Sequence, residues 1–210
     1  DADTTARKGG HEEILAAFSA HEADILIGTQ MIVKGHDFGN VTLVGIMAAD
    51  LSLNTPDYRC SERTFQLLTQ AAGRAGRGSL SGNVVIQTYQ PEHYAIVTAA
   101  EQNYEEFYRR EMLYRKMMNY PPACYMEAVL FAGNNEKTVE RCSDLALSTV
   151  RKMGYEENEI QMIGPVRAPV YKVNDIYRKI LYIKSKNCDI LDKIRRNIEL
   201  LAAGDDGFKS

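Results

Sequence analysis

The 210 residues are 45% hydrophobic and 25% charged, ordinary globular usage that excludes a disordered polymer and leaves room for one large domain or two small ones. No apolar run reaches the roughly 20 residues a membrane helix needs, and Asp1 to Gly10 is polar without a signal-peptide core, so a cytoplasmic protein with no membrane partner is expected. The net charge of -3 is unevenly placed: residues 1 to 120 carry 11 basic against 15 acidic side chains, whereas Arg167 to Arg196 carry nine against three.

Taken in chain order, Ile14, Leu15 and Phe18 make one apolar helix face. Asp24 to Ile27 reads as a short buried strand, Val41 to Met47 as a second and Asn83 to Tyr89 as a third, each bounded by Gly, Asn or Asp. A helix starts near Ser61, which stands as an N-cap, with Phe65, Leu68 and Ala72 on one side. Two further helices cover His93 to Ala100 and Tyr104 to Met118. In the second, Tyr104, Phe107, Tyr108 and Met112 recur at helical spacing as packing residues. Tyr120-Pro121-Pro122 stops that helix and marks a domain boundary between residues 119 and 120.

Beyond the boundary the order becomes strand, helix, strand, strand, helix. Strands are predicted at Tyr125 to Phe131, Ile160 to Val166 and Tyr177 to Lys184. One helix carries Val139, Cys142, Leu145, Ala146, Thr149, Val150 and Met153 as its stripe, and the last carries Ile190, Leu191, Ile194, Ile198 and Leu201. This is a split ferredoxin-like α+β sandwich whose final strand is expected just past Ser210. The first part is expected to be an α/β parallel sheet with flanking helices.

Two runs carry chemistry. In a helix, Gln70, Arg74 and Arg77 stand at i, i+4 and i+7 on one face, and Gly73 and Gly76 leave the backbone bare for close approach. Two guanidinium forks there suit a phosphate that is gaining charge, although Gly-Arg-x-Gly-Arg alone also fits a generic turn or a loose RNA contact. The second run, Gly28 to Phe38, follows the strand at Asp24 to Ile27, where α/β sheets hold ligands. Thr29 and backbone amides can hold a nucleic-acid phosphate, Lys34 can add charge, and Asp37 can accept from a ribose hydroxyl. The basic stretch from Arg167 to Arg196, with Arg178, Lys184 and Lys186 read as surface cations, faces DNA or a protein tail, or is a solvated surface. The four cysteines form no C-x-x-C pair and the four histidines are scattered, so no metal site is expected.

The runs from Asp24 to Phe38 and from Gln70 to Arg77 resemble motifs V and VI of superfamily-two helicases. Asp3-Thr4-Thr5, the loop from Ala49-Asp50 to Pro56-Asp57-Tyr58-Arg59, Glu62 to Leu68, Gln87-Thr88-Tyr89, Tyr120-Pro121-Pro122, Gly164-Pro165-Val166 and Tyr177-Arg178 narrow the likeness to the bacterial replication-restart helicases, the primosomal protein N′ family. The resemblance implies a RecA-like second helicase lobe over residues 1-119, incomplete at its N-terminus because it begins after the strand that should precede Asp1, and an S10-like domain over 120-210 that binds DNA or a partner protein. It implies a motor that uses ATP and Mg²⁺, binds abandoned forks and moves 3′ to 5′ along single-stranded DNA. The expected partners are single-stranded and forked DNA, single-strand DNA-binding protein and primosome components, at the bacterial nucleoid.

By the same resemblance Arg77 is the arginine finger, Arg74 its companion on the γ-phosphate and Gln70 a member of that network. Gly35 and Asp37 touch the nucleotide, and Thr29, with Gln30 and Lys34 beside it, the DNA. The sequence departs from the family in holding no G-x-x-x-x-G-K-[ST] phosphate loop and no D-E-x-H, and the ligands of the family's zinc domain are absent. The chain is therefore expected to be inactive alone, with ATP and Mg²⁺ held mainly by a first lobe. Two other readings stand beside this one: another superfamily-two translocase, which should lack the S10-like tail, and a non-catalytic adapter that only docks DNA or protein.

Overall fold

The computed structural model describes residues 10–29, 38, 41–76 and 81–208. The chain divides into two compact units between Glu111 and Met112.

In the first unit, helix α1 (Gly10–Ser19) buries Leu15. Strands β1 (Leu43–Ile46) and β2 (Asn83–Ile86) pair in parallel, Leu43 opposite Asn83 and Ile46 opposite Ile86. Between them run the short helix α2 (Asp50–Leu53) and α3 (Cys60–Ala72). α4 (Tyr94–Ala100) follows, and α5 (Tyr104–Met117) passes through the division into the second unit. The core joins Phe65 and Leu68 of α3, Ala95, Ile96 and Ala99 of α4, and Phe107, whose ring stacks on Phe65 at 4.2 Å. Of the aromatics expected to pack on α5, Phe107 is buried, whereas Tyr104 and Tyr108 are exposed.

Two expectations fail here. Residues 24–27 form no strand, and Ile25 and Ile27 are 76% and 89% exposed. A strand persists through ladder hydrogen bonds to a neighbour, and among the described residues β1 and β2 pair only with each other. Ser61 does not cap α3: the cap position is Arg59, which makes no side-chain cap bond, and Ser61 lies buried inside the first turn. Polar order at that end comes instead from Thr64, whose hydroxyl oxygen lies within hydrogen-bond reach of both Cys60 O and Ser52 Oγ of α2, at 2.8 Å each. α4 has a true side-chain cap, His93 Nδ1 accepting from Ala95 N.

In the second unit, β3 (Tyr125–Gly133), α6 (Glu136–Lys152), β4 (Ile160–Val173), β5 (Ile176–Ser185) and α7 (Cys188–Gly204) follow the predicted order. The sheet is antiparallel with β5 central, in the order β3-β5-β4, which is the split arrangement expected. Both helices pack on one face. Val139, Cys142, Ala146 and Val150 of α6 and Leu191, Ile194 and Ile198 of α7 close over Phe131, Leu181 and Ile183. Asn135 and Asn187 cap the two helices, accepting from Thr138 N and Asp189 N. β4 runs seven residues past the predicted end at Val166, to Val173. Its register to β5 breaks between Arg167 and Lys172, and the tip residues Asn174 and Asp175 both have positive φ, 49° and 63°. Two such residues in succession make a type I′ connection, whose twist matches a hairpin.

Candidate nucleotide and nucleic-acid sites

α3 ends at Ala72, and Gly73 to Gly76 form a turn in which Arg74 N reaches Ala71 O and Ala75 N reaches Ala72 O, at 3.0 and 3.2 Å. These three-residue steps replace the α-helical ladder, so the expected single helix face through Gln70 and Arg74 is not continued by regular helix. Gln70 is exposed on the last turn of α3, Arg74 is half-buried in the turn beyond it, and Arg77 lies outside the described residues. Two contacts brace this turn. Gly76, at φ 72°, donates its N–H to Val41 O at 3.0 Å, just before β1. Gly82 approaches so closely that a Cβ there would stand 2.2 Å from Gly76 N and 2.5 Å from Ala75 C, so only glycine fits. Gly82 was not singled out in the sequence; the signal was a glycine directly before a strand and next to a glycine-rich turn. A guanidinium and an amide donor here fit an anionic phosphate oxygen, the chemistry that a γ-phosphate offers.

Of the loop that follows residue 28, Thr29 is exposed, and Gln30, Lys34, Gly35 and Asp37 lie outside the described residues. Phe38, at its end, meets Phe18 of α1 edge-on at 5.0 Å.

At the carboxyl ends of β1 and β2 a second set of residues is laced together. Gln87 N donates to Ile46 O at 2.8 Å and Ala49 N to Gln87 O at 3.1 Å. The buried Asp50 carboxylate accepts from Thr88 Oγ1 at 2.7 Å and from Tyr89 N at 2.9 Å. These bonds, Thr88 first, hold the Asp50 carboxyl below the usual carboxylate range. Asp50 thus anchors the loop after β2 to the start of α2. Sequence reading marked Ala49-Asp50 and Gln87-Thr88-Tyr89 as family segments without joining them.

In the second unit, Lys184 is not the surface cation expected. It is 3% exposed, donates Nζ–H to Met118 O at 3.1 Å and lies 3.6 Å from the Tyr120 ring centroid. Burial pushes its pKa down. The reason is strand periodicity: Leu181 and Ile183 face the helices, so Arg178, Ile180, Tyr182 and Lys184 share the opposite face of β5, and there the end of α5 and its following turn meet Lys184. Arg178 is half-buried on that face and Lys186 is exposed beyond the strand. Other members of the basic stretch are partly matched: Lys179 reaches Glu140 at 3.5 Å, Lys172 reaches Asp175 at 2.9 Å, and Arg195 reaches Asp192 at 2.9 Å. Among the described residues no group of three or more His, Cys, Asp or Glu is placed to hold a metal ion, and the four cysteines are free thiols. No helix among them is long and apolar enough to cross a membrane.

Two family models match the chain: the helicase conserved C-terminal domain over residues 3–79 and the primosomal protein N C-terminal domain over residues 116–205. The replication restart protein PriA of Bacillus subtilis is 43% identical over 199 residues, covering 94% of this chain and 24% of the relative. Those of a Synechocystis strain and of Chlamydia pneumoniae are 42% and 38% identical, each covering 88% of this chain and 22% and 24% of the relative. The chain therefore spans about a quarter of the length of the relatives it matches. The first unit is accordingly a RecA-like second helicase lobe, and the chain belongs to the primosomal protein N (PriA) family, of which it carries the helicase C-terminal domain and the family's own C-terminal domain.

Proposed function

We propose that this chain is the carboxyl-terminal part of an ATP-dependent 3′ to 5′ DNA helicase that reloads replication at stalled forks. The observation that carries the reading is the pair of family models in order along one chain, with relatives named replication restart protein PriA over about nine-tenths of it. Residues 1-119 act as the second motor lobe. Gln70, Arg74 and Arg77 meet the γ-phosphate, with Arg77 as the finger, while Gly35 and Asp37 touch the nucleotide. Thr29, Gln30 and Lys34 contact the DNA strand. ATP and Mg²⁺ are held mainly by a first lobe, and zinc by a separate domain. Residues 120-210 bind DNA, single-strand DNA-binding protein or primosome components through Arg178 and Lys186. Lys184 is withdrawn from that set, because its ammonium is committed to Met118 O. The family model over 116–205 favours this reading above a general superfamily-two translocase.

On its own the 210-residue chain should release no phosphate from ATP in a DNA-stimulated assay. Hydrolysis that persists through repurification and disappears in the Arg77→Ala variant would overturn the assignment of the phosphate loop to a first lobe. An adapter without catalytic role is the outcome if the complete protein also fails to hydrolyse ATP.

A further inference from the structure

The carboxyl ends of β1 and β2 carry an aromatic ring that the core does not use. Tyr89 is 94% exposed, yet its backbone is fixed: its N–H is held by the buried Asp50 carboxylate, and Thr88 beside it donates to the same group and accepts from Gln90 N at 2.9 Å. Met47 and Leu51, which flank the same strand end and the start of α2, are also exposed large apolar side chains. Between them Ala48 takes a left-handed backbone, φ 51°, which a side chain with a Cβ adopts at a cost. α3 begins at this end too, because Thr64 bonds Ser52 of α2. There Arg59 and Arg63 share the carboxylate of Asp57, at 3.2 and 2.9 Å, and Glu62 of the same first turn also acts on Arg59.

We propose that this rim is a nucleobase-stacking site for single-stranded DNA, with Tyr89 as the stacking platform and Arg59 and Arg63 as contacts to the neighbouring phosphates. Ligands of parallel α/β sheets collect at the carboxyl ends of the strands, where Tyr89 stands. Sequence-tolerant single-strand binding combines exposed aromatic rings with nearby cations, and this rim presents both. The fixed Asp50 charge at the Tyr89 N–H disfavours a phosphate at that point and leaves the base as the partner. A backbone held in place before binding also reduces the entropy lost when the ring stacks. The inference rests on the DNA-translocating reading above and adds to it a residue outside the helicase motifs.

The test uses the 210-residue chain, which has no tryptophan, so Tyr89→Trp introduces a single indole at the rim. Titration with a short oligothymidylate should quench that indole, and the same backbone without bases should not. Tyr89→Ala should weaken oligothymidylate binding about five- to hundredfold, the range for loss of one base–aromatic stack. Its affinity for the abasic strand and its salt dependence should stay as in the unaltered chain, and Tyr89→Phe should bind normally. If the unaltered chain binds and Tyr89→Ala binds equally well with no indole quenching, the stacking proposal is overturned while the DNA-binding reading stands. If the unaltered chain binds no oligonucleotide, both fall.

Discussion

The two units cover their sheets differently. In the second, α6 and α7 lie on one face of an antiparallel sheet, and Leu181, Ile183, Ile194, Ala146 and Val150 are sealed from solvent. In the first, α3 and α4 cover one face of a parallel pair and the other face leaves Leu43 and Val85 exposed. Antiparallel sheets tolerate one open face, whereas parallel sheets are normally covered on both. The second unit matches that tolerance, with Leu130 and Ile163 exposed on its open face, whereas the described residues of the first leave Leu43 and Val85 uncovered on a parallel pair.

That contrast can be broken most forcefully in the sealed core. Leu181→Ala should destabilise the second unit by about 2–5 kcal/mol, because a buried branched chain leaves both lost transfer energy and a cavity. Urea unfolding followed by amide exchange at β5 would read it, and a change confined to the first unit would contradict the division. Next in size, Gly82→Ala should displace the turn that carries Arg74, since its Cβ would collide with Gly76 N. On the proposed function, a shift of that kind should lower the complete protein's ATP turnover on the order of 10²-fold, with DNA affinity unaltered. Equal loss of both would place Gly82 in general folding instead.

Lys184 offers a smaller, signed effect. Lys184→Ala orphans Met118 O and should cost about 1–3 kcal/mol. Burial lowers its folded pKa below the ordinary 10.5, so between the two values the unfolded chain binds more protons and stability rises with pH. That alkaline rise should vanish in Lys184→Met; its persistence would show another group titrating. At the acid end, Arg141 and the Gly207 N–H hold Asp205 at about 2, against an ordinary 3.8. This carboxylate supports the fold above the ordinary value and stops doing so as pH falls through about 2. Asp205→Asn should therefore flatten the acid limb of an unfolding titration, and an unchanged limb would remove the Arg141 pair from the account. The smallest change should come from Leu43→Ser on the uncovered face of β1, within about 0.5 kcal/mol in the isolated chain.

The second unit was legible because apolar period and packing coincide: the stripe Val139, Cys142, Ala146, Val150 is what α6 buries. The extra length of β4 was not, because beyond Arg167 the pairing to β5 is irregular until Lys172, and such pairing between segments leaves no regular apolar period to read. Lys184 was misread because charge composition cannot tell an ammonium on a solvated face from one folded onto a helix end. The strand at 24–27 was read from its apolar residues, but a strand depends on a neighbour that a linear pattern does not display. At the candidate sites, the sequence pointed to Gln70 and Arg74, while Gly82 and the Asp50–Tyr89 bond are contacts between separated segments.

The central claim, that Arg77 of the first unit acts on ATP while the second unit adds a basic surface for DNA or a partner, is tested most directly by measuring ATP turnover and DNA affinity together in two variants of the complete protein. Arg77→Ala should lower turnover by on the order of 10³ or more and leave DNA affinity nearly unchanged. Arg178→Glu with Lys186→Glu should weaken DNA or partner-tail binding and flatten its salt dependence, with turnover at saturating DNA intact. Normal turnover in Arg77→Ala, or untouched binding and salt slope in the double reversal, would contradict that division of labour.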